Sequence, residues 1–281
     1  MILIDLNQVI LSGMMSQLST QKNVQLEENL VRHMVLNILR MHVKNFQPEY
    51  GEVVLCCDNK TYWRKSYFPF YKAGRKKARD ASALDWALIF DILGKIKQEL
   101  KDNFPYRVID VENAEADDII GTLTPRFANN EKVLILSSDG DFLQLQKYPN
   151  VKQYNPSLKK YIKSQDPAKE LKEKIIKGDK GDGIPNILSP ANCFVMEQRQ
   201  KSITKGKLEE FLNMDLDSAE TEISSAFIRN KTLIDLSCIP EEIKNSIIHT
   251  YESIVPAPRN KLLNYFIEKR LKNLMDVIEE F

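Results

Sequence analysis

Four short apolar runs limit what this chain can fold into. They lie at 2–4, 53–57, 106–111 and 133–137 and are rich in branched side chains. Each is short enough for a strand and apolar enough to be buried on both faces. Between them apolar residues recur with helical period: Leu26, Leu30, Met34, Ile38 and Met41 within 24–46, and Leu84, Leu88, Ile92 and Ile96 within 83–101. Strands alternating with helices predict an α/β fold with a mostly parallel central sheet covered by helices. The segments "VKQYN" and "KKYIK" extend that sheet as a hairpin over 151–163.

From about 167 onward the patterns are helical, including 241–253 and 259–280, broken by Gly and Pro at 178–190 and by "VPAP" at 255–258. The expected division is an α/β domain over 1–164 and a smaller all-helical lobe over 165–281. No stretch reaches the roughly 18 uninterrupted apolar residues of a membrane span. The opening "MILIDLNQVILS" lacks the basic start and cleavage site of a signal peptide. The four cysteines form no CxxC pair, which points to a reducing, intracellular setting. Of the three histidines, His33 and His42 sit within a helical pattern as packing or surface residues. Any metal is therefore expected on oxygen ligands.

Acids close the strands. Asp5 ends "ILID", Asp58 ends "VVLCCD", Glu115, Asp117 and Asp118 follow "YRVIDVENA", and Asp139 and Asp141 follow "VLILSSD". One such acid is usually a helix N-cap. Four strand ends bearing acids meet at the crevice beyond the carboxyl edge of a parallel sheet, where unpaired carboxylates repel and raise one another's pKa. Divalent cations relieve that repulsion, and hard oxygen donors suit magnesium or manganese. Two such ions about 3.5–4 Å apart suit in-line phosphoryl displacement. Gly140 would permit the tight turn that sends Asp139 and Asp141 into one cleft. A third acid group, Asp179 and Asp182, sits in "GDKGDGIP". It reads either as a polar interhelical turn or as a glycine-rich loop whose backbone N–H groups, at Gly181 and Gly183, hold a DNA phosphate while the acids face the cations.

The net charge of +1 hides a segregated run. Residues 60–79 carry eight Lys and Arg, no acid, and Tyr62, Trp63, Tyr67, Phe68, Phe70 and Tyr71. Bases stack on rings while cations hold phosphates, so a nucleic-acid surface stands beside the plain reading of a solvated face.

The order of "LID", "CCDN", "FPFYKAGR", "AEADD", "SSDGDF" and "GDKGDGIP" resembles the 5′-nuclease (flap endonuclease) superfamily. The stretches "YWRKSYFPFYK", "SSDGDFLQLQKYPNVKQYNP" and "KIIKGDKGD", with the ending "IEEF", are similar to its ribonuclease H branch in T-even-like bacteriophages. The resemblance implies a PIN-like core, a helical arch at about 62–86, and a helical lobe bearing a helix-turn-helix-like DNA-binding element whose duplex-binding turn spans 178–185. It implies a magnesium-dependent 5′ to 3′ exonuclease and flap endonuclease acting on branched or 5′-ended DNA and on RNA/DNA duplexes. Such an enzyme removes RNA primers and adjoining DNA from lagging-strand fragments and leaves 5′-phosphates.

On the matching positions, Asp5, Asp58, Glu115, Asp117 and Asp139 would serve a first magnesium and Asp141, Asp179 and Asp182 a second, with Asp118 in the outer shell and manganese able to substitute. Lys72 and Arg75, one helical turn apart, would touch the scissile phosphate, forming the catalytic group with Asp139 and Asp141. Tyr71 would stack on a base near the cut, while Arg64, Lys76, Lys77 and Arg79 steer the backbone. "GIPNILSPAN" stands where many relatives have a second Gly-Ile-Gly, which leaves potassium binding at that turn open. The resemblance further implies a monomer in the cytoplasm of an infected bacterium, partnered by a single-stranded-DNA-binding protein. A sliding clamp is a further partner that stays open: the phage members of that branch carry residues before the first strand that such docking could use, and here Met1 stands directly on that strand. The acidic stretch Glu209 to Glu222 is either a docking surface or a solvated face.

Two other classes compete with hydrolysis. A replication factor with a dead site would need no carboxylates that repel phosphate. An aspartyl-phosphate phosphatase would need an acid two residues beyond Asp5, where Asn7 stands.

Overall fold

The computed structural model describes residues 1–18, 27–82, 84–218 and 221–281. The first part of the chain runs β1 (Ile2–Asp5), α1 (Leu6–Leu18), α2 (Glu28–Tyr50), β2 (Val53–Cys56), α3 (Trp63–Tyr67), α4 (Gly74–Asp80), α5 (Trp86–Asn103), β3 (Arg107–Ile109), α6 (Ala116–Phe127) and β4 (Val133–Leu136). A 3-10 segment (Gly140–Lys147) then leads to β5 (Val151–Asn155) and β6 (Lys160–Ile162). Helices follow: α7 (Pro167–Lys177), α8 (Lys205–Asn213), α9 (Glu222–Ile234), α10 (Glu241–Ser253), α11 (Lys261–Glu268) and α12 (Lys272–Met275), with a 3-10 turn at Leu236–Cys238.

Among the described residues the strands form one sheet in the order β3-β2-β1-β4-β5-β6. The first five are parallel, and β6 runs antiparallel to β5 as the expected hairpin. The order reverses between β1 and β4, and the crevice of an open α/β sheet lies at such a switch point. Register sets what meets there: Asp5 pairs with Cys56 and Ile4 with Leu136, so Asp58 and Ser137 leave the same edge beside Asp5.

Each strand residue alternates between two cores. Ile2, Ile4, Leu55 and Leu134 pack with α2 and α5, and Leu3, Val54, Ile109 and Ile135 pack with α6. A third core joins Ile175 and Ile176 of α7, Phe211 of α8 and Phe227 and Leu233 of α9 to Phe68 and Tyr71 of the basic segment. The last third of the chain does not stay with that helical core. Leu236, Ile243 and Ile247 return to the α6 face of the sheet, and Leu262, Tyr265 and Phe266 return to the α2 face.

The helix expected over 24–46 runs Glu28–Tyr50, and residues 24–26 lie outside those described. The one expected over 83–101 begins at Trp86, where the Asp85 carboxylate accepts from the Leu88 N–H. Of the acidic stretch 209–222, Ala219 and Glu220 also lie outside the described residues. His42 is packed in the core beside Phe46, and burial pushes its pKa down to about 4.

Candidate metal centre and nucleic-acid interface

The strand-end acids gather at the carboxyl edge of the sheet. Asp5 is buried and accepts from Ser137 Oγ at 3.0 Å and Gln8 N at 3.3 Å. Asp58 accepts from the Ala116 N–H at 2.9 Å, the first residue of α6, and from Asn7 Nδ2 at 3.0 Å. Glu115 caps α6 in a reciprocal capping box with Asp118. Their fields overlap. Burial, then the charges of Asp58 and Asp139, push Asp5 up to about 7. Burial and the neighbouring Asp139, Glu115 and Asp5 hold Asp117 well above the usual carboxylate range. Burial raises Asp139, with Asp182 and Asp179 adding to the shift and Lys174 opposing it.

The turn bearing Asp139 and Asp141 is fixed by its own hydrogen bonds. Asp139 is extended (φ −72°, ψ 130°), and its side chain accepts from the Asp141 N–H at 2.9 Å. Gln153 on β5 donates to the Ser137 and Asp139 carbonyls at 3.1 and 2.6 Å. Gly140 has no positive φ and open space where a Cβ would stand, so this turn does not require glycine as expected.

The requirement falls instead on the second turn. There Asp179 and Ile184 form an antiparallel bridge, and Gly178 and Gly183 take φ of +70° and +73°. A Cβ on Gly183 would lie 2.9 Å from the Phe70 carbonyl, and the Asp182 carbonyl accepts from Lys72 N at 2.8 Å. Gly183 thus seats the turn on the basic segment rather than standing open to a duplex, whereas Gly181 remains exposed.

Cations of the protein lie between the acids. Lys174 of α7 pairs with Asp141 and, at 3.0 Å, with Asp179. Lys72 Nζ stands 2.5 Å from Glu115 and 3.8 Å from Asp182, and Arg75 reaches Asp182 at 2.5 Å. With these groups interposed, no three acids among the described residues enclose an ion. The donor set nevertheless fits hard divalent cations: it is all carboxylate, burial and mutual repulsion raise Asp5, Asp117 and Asp139, and the positive charge of Lys72 already bridges the two acid groups. Lys174 overcomes the burial of Asp179, whose pKa is lowered. As a single lysine four residues before Gly178 in an amphipathic helix, it carried no signal in the sequence.

Several expected roles change. Arg64 is 2% exposed and cannot steer a nucleic-acid backbone. Its guanidinium contacts Glu115 at 3.0 Å, Asp118 at 2.8 Å and the Leu233 carbonyl at 2.9 Å, because charge on α6 needs a buried counterion. Asp118 is spent structurally: Oδ1 accepts from Trp63 Nε1 as well as Arg64, and Oδ2 from the Glu115 N–H. Tyr71, also 2% exposed, sets its hydroxyl between Glu115 Oε2 at 3.1 Å and Asp182 Oδ2 at 3.0 Å, its one proton shared by the two carboxylates, and presents no face for base stacking. Lys72 and Arg75 do not share a helix. Lys72 precedes α4 at φ 54°, a costly backbone for a non-glycine residue, and both converge on Asp182.

Lys76, Lys77 and Arg79 are exposed on α4. A groove of about 1090 Å³ runs from Asp58, Glu115 and Lys72 past Arg75, Lys76 and Arg79 to Trp86 and Phe90. It offers carboxylates at one end and cations with aromatic faces along its length.

Residues 1–176 match the family model described as 5′-3′ exonuclease, N-terminal resolvase-like domain, and 166–281 match that of T4 RNase H, C terminal. The ribonuclease H of Enterobacteria phage T4 is 35% identical over 99% of this chain and 95% of its own length. Flap endonuclease Xni of Shewanella woodyi is 31% identical over 60% of this chain and 68% of its own. The zinc-bound 5′-exonuclease of bacteriophage T5 superposes with a TM-score of 0.62 at 14% identity, covering 91% of this chain and 99% of that one. The T5 D15 flap endonuclease complexed with DNA and metal ions gives 0.62 at 15% identity over 90% of this chain and 99% of that one. At such identity the T5 structures speak for the fold, a mostly parallel sheet with helices on both faces.

Proposed function

Since this chain belongs to the 5′-3′ exonuclease family and is a 5′-nuclease, we propose that it is a magnesium-dependent 5′ to 3′ exonuclease and flap endonuclease that removes RNA primers and adjoining DNA during lagging-strand replication. The observation that carries the reading is the meeting of two acid groups from remote parts of the chain. Asp5, Asp58, Asp117 and Asp139 share one field at the sheet edge, and Asp141 and Asp179 share Lys174 on its far side.

Asp5, Asp58, Glu115, Asp117 and Asp139 would hold one magnesium, and Asp141, Asp179 and Asp182 the other. Bound there, the pair supplies positive charge for both oxygens of an in-line displacement and a water acidic enough to attack at neutral pH. Asp118 and Arg64 keep Glu115 aimed at the site. Lys72, now on Glu115, and Arg75, now on Asp182, turn to the scissile phosphate and offset its developing charge. Lys76 and Arg79, which line the groove, and Lys77 beside them on α4 hold the 5′ single strand, and exposed Gly181 meets the duplex. The phage relatives favour work in the bacterial cytoplasm beside a single-stranded-DNA-binding protein.

The test is cleavage of labelled 5′-flap and RNA-primed duplexes with magnesium, with a chelator, and by Asp139→Asn. Products with 5′-phosphate should appear only in the first. Equal cleavage under all three conditions overturns the proposal.

A further inference from the structure

Two buried carboxamides connect Asp141 to the Gly/Asp turn through a single turn of α9. Gln144, 7% exposed, donates to the Asp141 carbonyl at 2.8 Å and to the Ile234 carbonyl at 3.1 Å, and accepts from the Leu236 N–H at 2.9 Å. Ile234 ends α9, so its carbonyl lacks a helical partner and Gln144 supplies one. Asn230, 0% exposed, donates to the Ile175 carbonyl at 2.9 Å and the Pro185 carbonyl at 2.8 Å, the two flanks of the segment holding Asp179 and Asp182. Its own oxygen accepts from Arg229 at 2.8 Å. Residues 230 and 234 are about 6 Å apart along a helix. Every hydrogen-bonding group of both side chains that faces these elements is engaged, so neither amide can turn without stranding a buried carbonyl.

We propose that α9 is a spacer setting the separation of Asp141 from Asp179 and Asp182, with Gln144 and Asn230 as its positioning residues. Asp141 lies on the 3-10 segment and Asp179 and Asp182 in the turn after α7, which packs on that segment and sets Lys174 between Asp141 and Asp179. The two amides add an uncharged link between the same places, acting in series through α9. This inference rests on the two-cation reading. It adds that one cation site, that of Asp141, Asp179 and Asp182, depends on α9, while the site of Asp5, Asp58, Asp117 and Asp139 does not.

The experiment is Mn²⁺ binding to the full chain without nucleic acid, followed by electron paramagnetic resonance and calorimetry. Wild-type protein should bind two ions. Gln144→Met and Asn230→Ala should each weaken one ion about tenfold, the scale on which outer-shell partners act, and leave the other unchanged. The double variant should be no weaker than the worse single one, because each change breaks the same linkage. Gln146→Met is the control: it removes bonds to Ile162 and Ser164 on the same 3-10 segment and should leave both ions as in wild type. If both ions bind the single variants with wild-type affinity, or if losses multiply at both ions, the spacer is wrong. Should Asn230→Ala fail to fold, Gln144→Met decides alone. Wild-type protein that binds no Mn²⁺ would overturn the two-cation reading and the spacer with it.

Discussion

Replacing Arg64 by Met tests the conversion of an expected nucleic-acid contact into an internal counterion. Methionine keeps most of the apolar stem that packs beside Trp63, whose ring lies 4.6 Å from the guanidinium, and deletes only the charge and its donors. The change leaves Glu115 and Asp118, both buried, without the partner at 3.0 and 2.8 Å. Removing one member of a buried ion pair costs about 3–5 kcal/mol. With an unfolding entropy near 2.1 cal/mol/K per residue, a chain of this length loses about 5–8 °C of Tm. The deficit should shrink at acid pH. Asp118, already raised by burial, takes up a proton once Arg64 is gone, so the penalty is present at pH 8 and fades as pH falls. The assay is thermal melting between pH 5 and 8, paired with DNA binding across a salt series. A phosphate-contacting arginine would behave oppositely, with an unchanged Tm and a salt slope lower by about one. That result would refute the burial argument.

Asp5→Asn should stabilise the metal-free protein at neutral pH. The wild-type carboxyl, raised from 3.8 to about 7, contributes stability that is complete below pH 4 and lost as pH rises through 7. Melting curves of the two proteins that ran parallel from pH 4 to 8 would contradict this. Gly183→Ala should cost about 1–3 kcal/mol in urea unfolding through its positive φ and the close Phe70 carbonyl, whereas Gly140→Ala should cost none. Equal effects would show that the second turn is not seated as described. Mn²⁺ at about a hundred times its Kd should add about 2.7 kcal/mol of stability for each ion bound. That gain should fall in Asp139→Asn and Asp141→Asn, as read by melting with and without chelator.

The sheet was readable because its strands are apolar on both faces, and a strand of that kind has few other ways to be buried. The acids at its edge were readable because each follows a strand directly, so register alone brings Asp5, Asp58 and Asp139 together. What sequence could not supply was orientation. The run from Lys60 to Arg79 is uniform in charge, but Arg64 turns inward on α3 while Lys76 and Arg79 face outward on α4. Whether such an arginine faces solvent or a buried carboxylate depends on α6, more than 40 residues away. Glycine pattern misled for a related reason: Gly140 and Gly183 each directly follow an aspartate, and what separates them is the positive φ of Gly183 and its neighbouring Phe70 carbonyl. Lys174, Gln144 and Asn230 belong to ordinary helical text, and their roles arise from long-range hydrogen bonds.

The chain departs from the sheet at Ser164 and rejoins it at Leu236, and both points are moored to the same short 3-10 segment. Gln146 receives the Ser164 N–H, and Gln144, two residues earlier, receives that of Leu236. A body hung from two adjacent pegs swings about the line joining them unless a third contact stops it. Here α7 is that third contact: it packs along the segment carrying Asp141 and sets Lys174 between Asp141 and Asp179, so the helical core is held where the two acid groups meet.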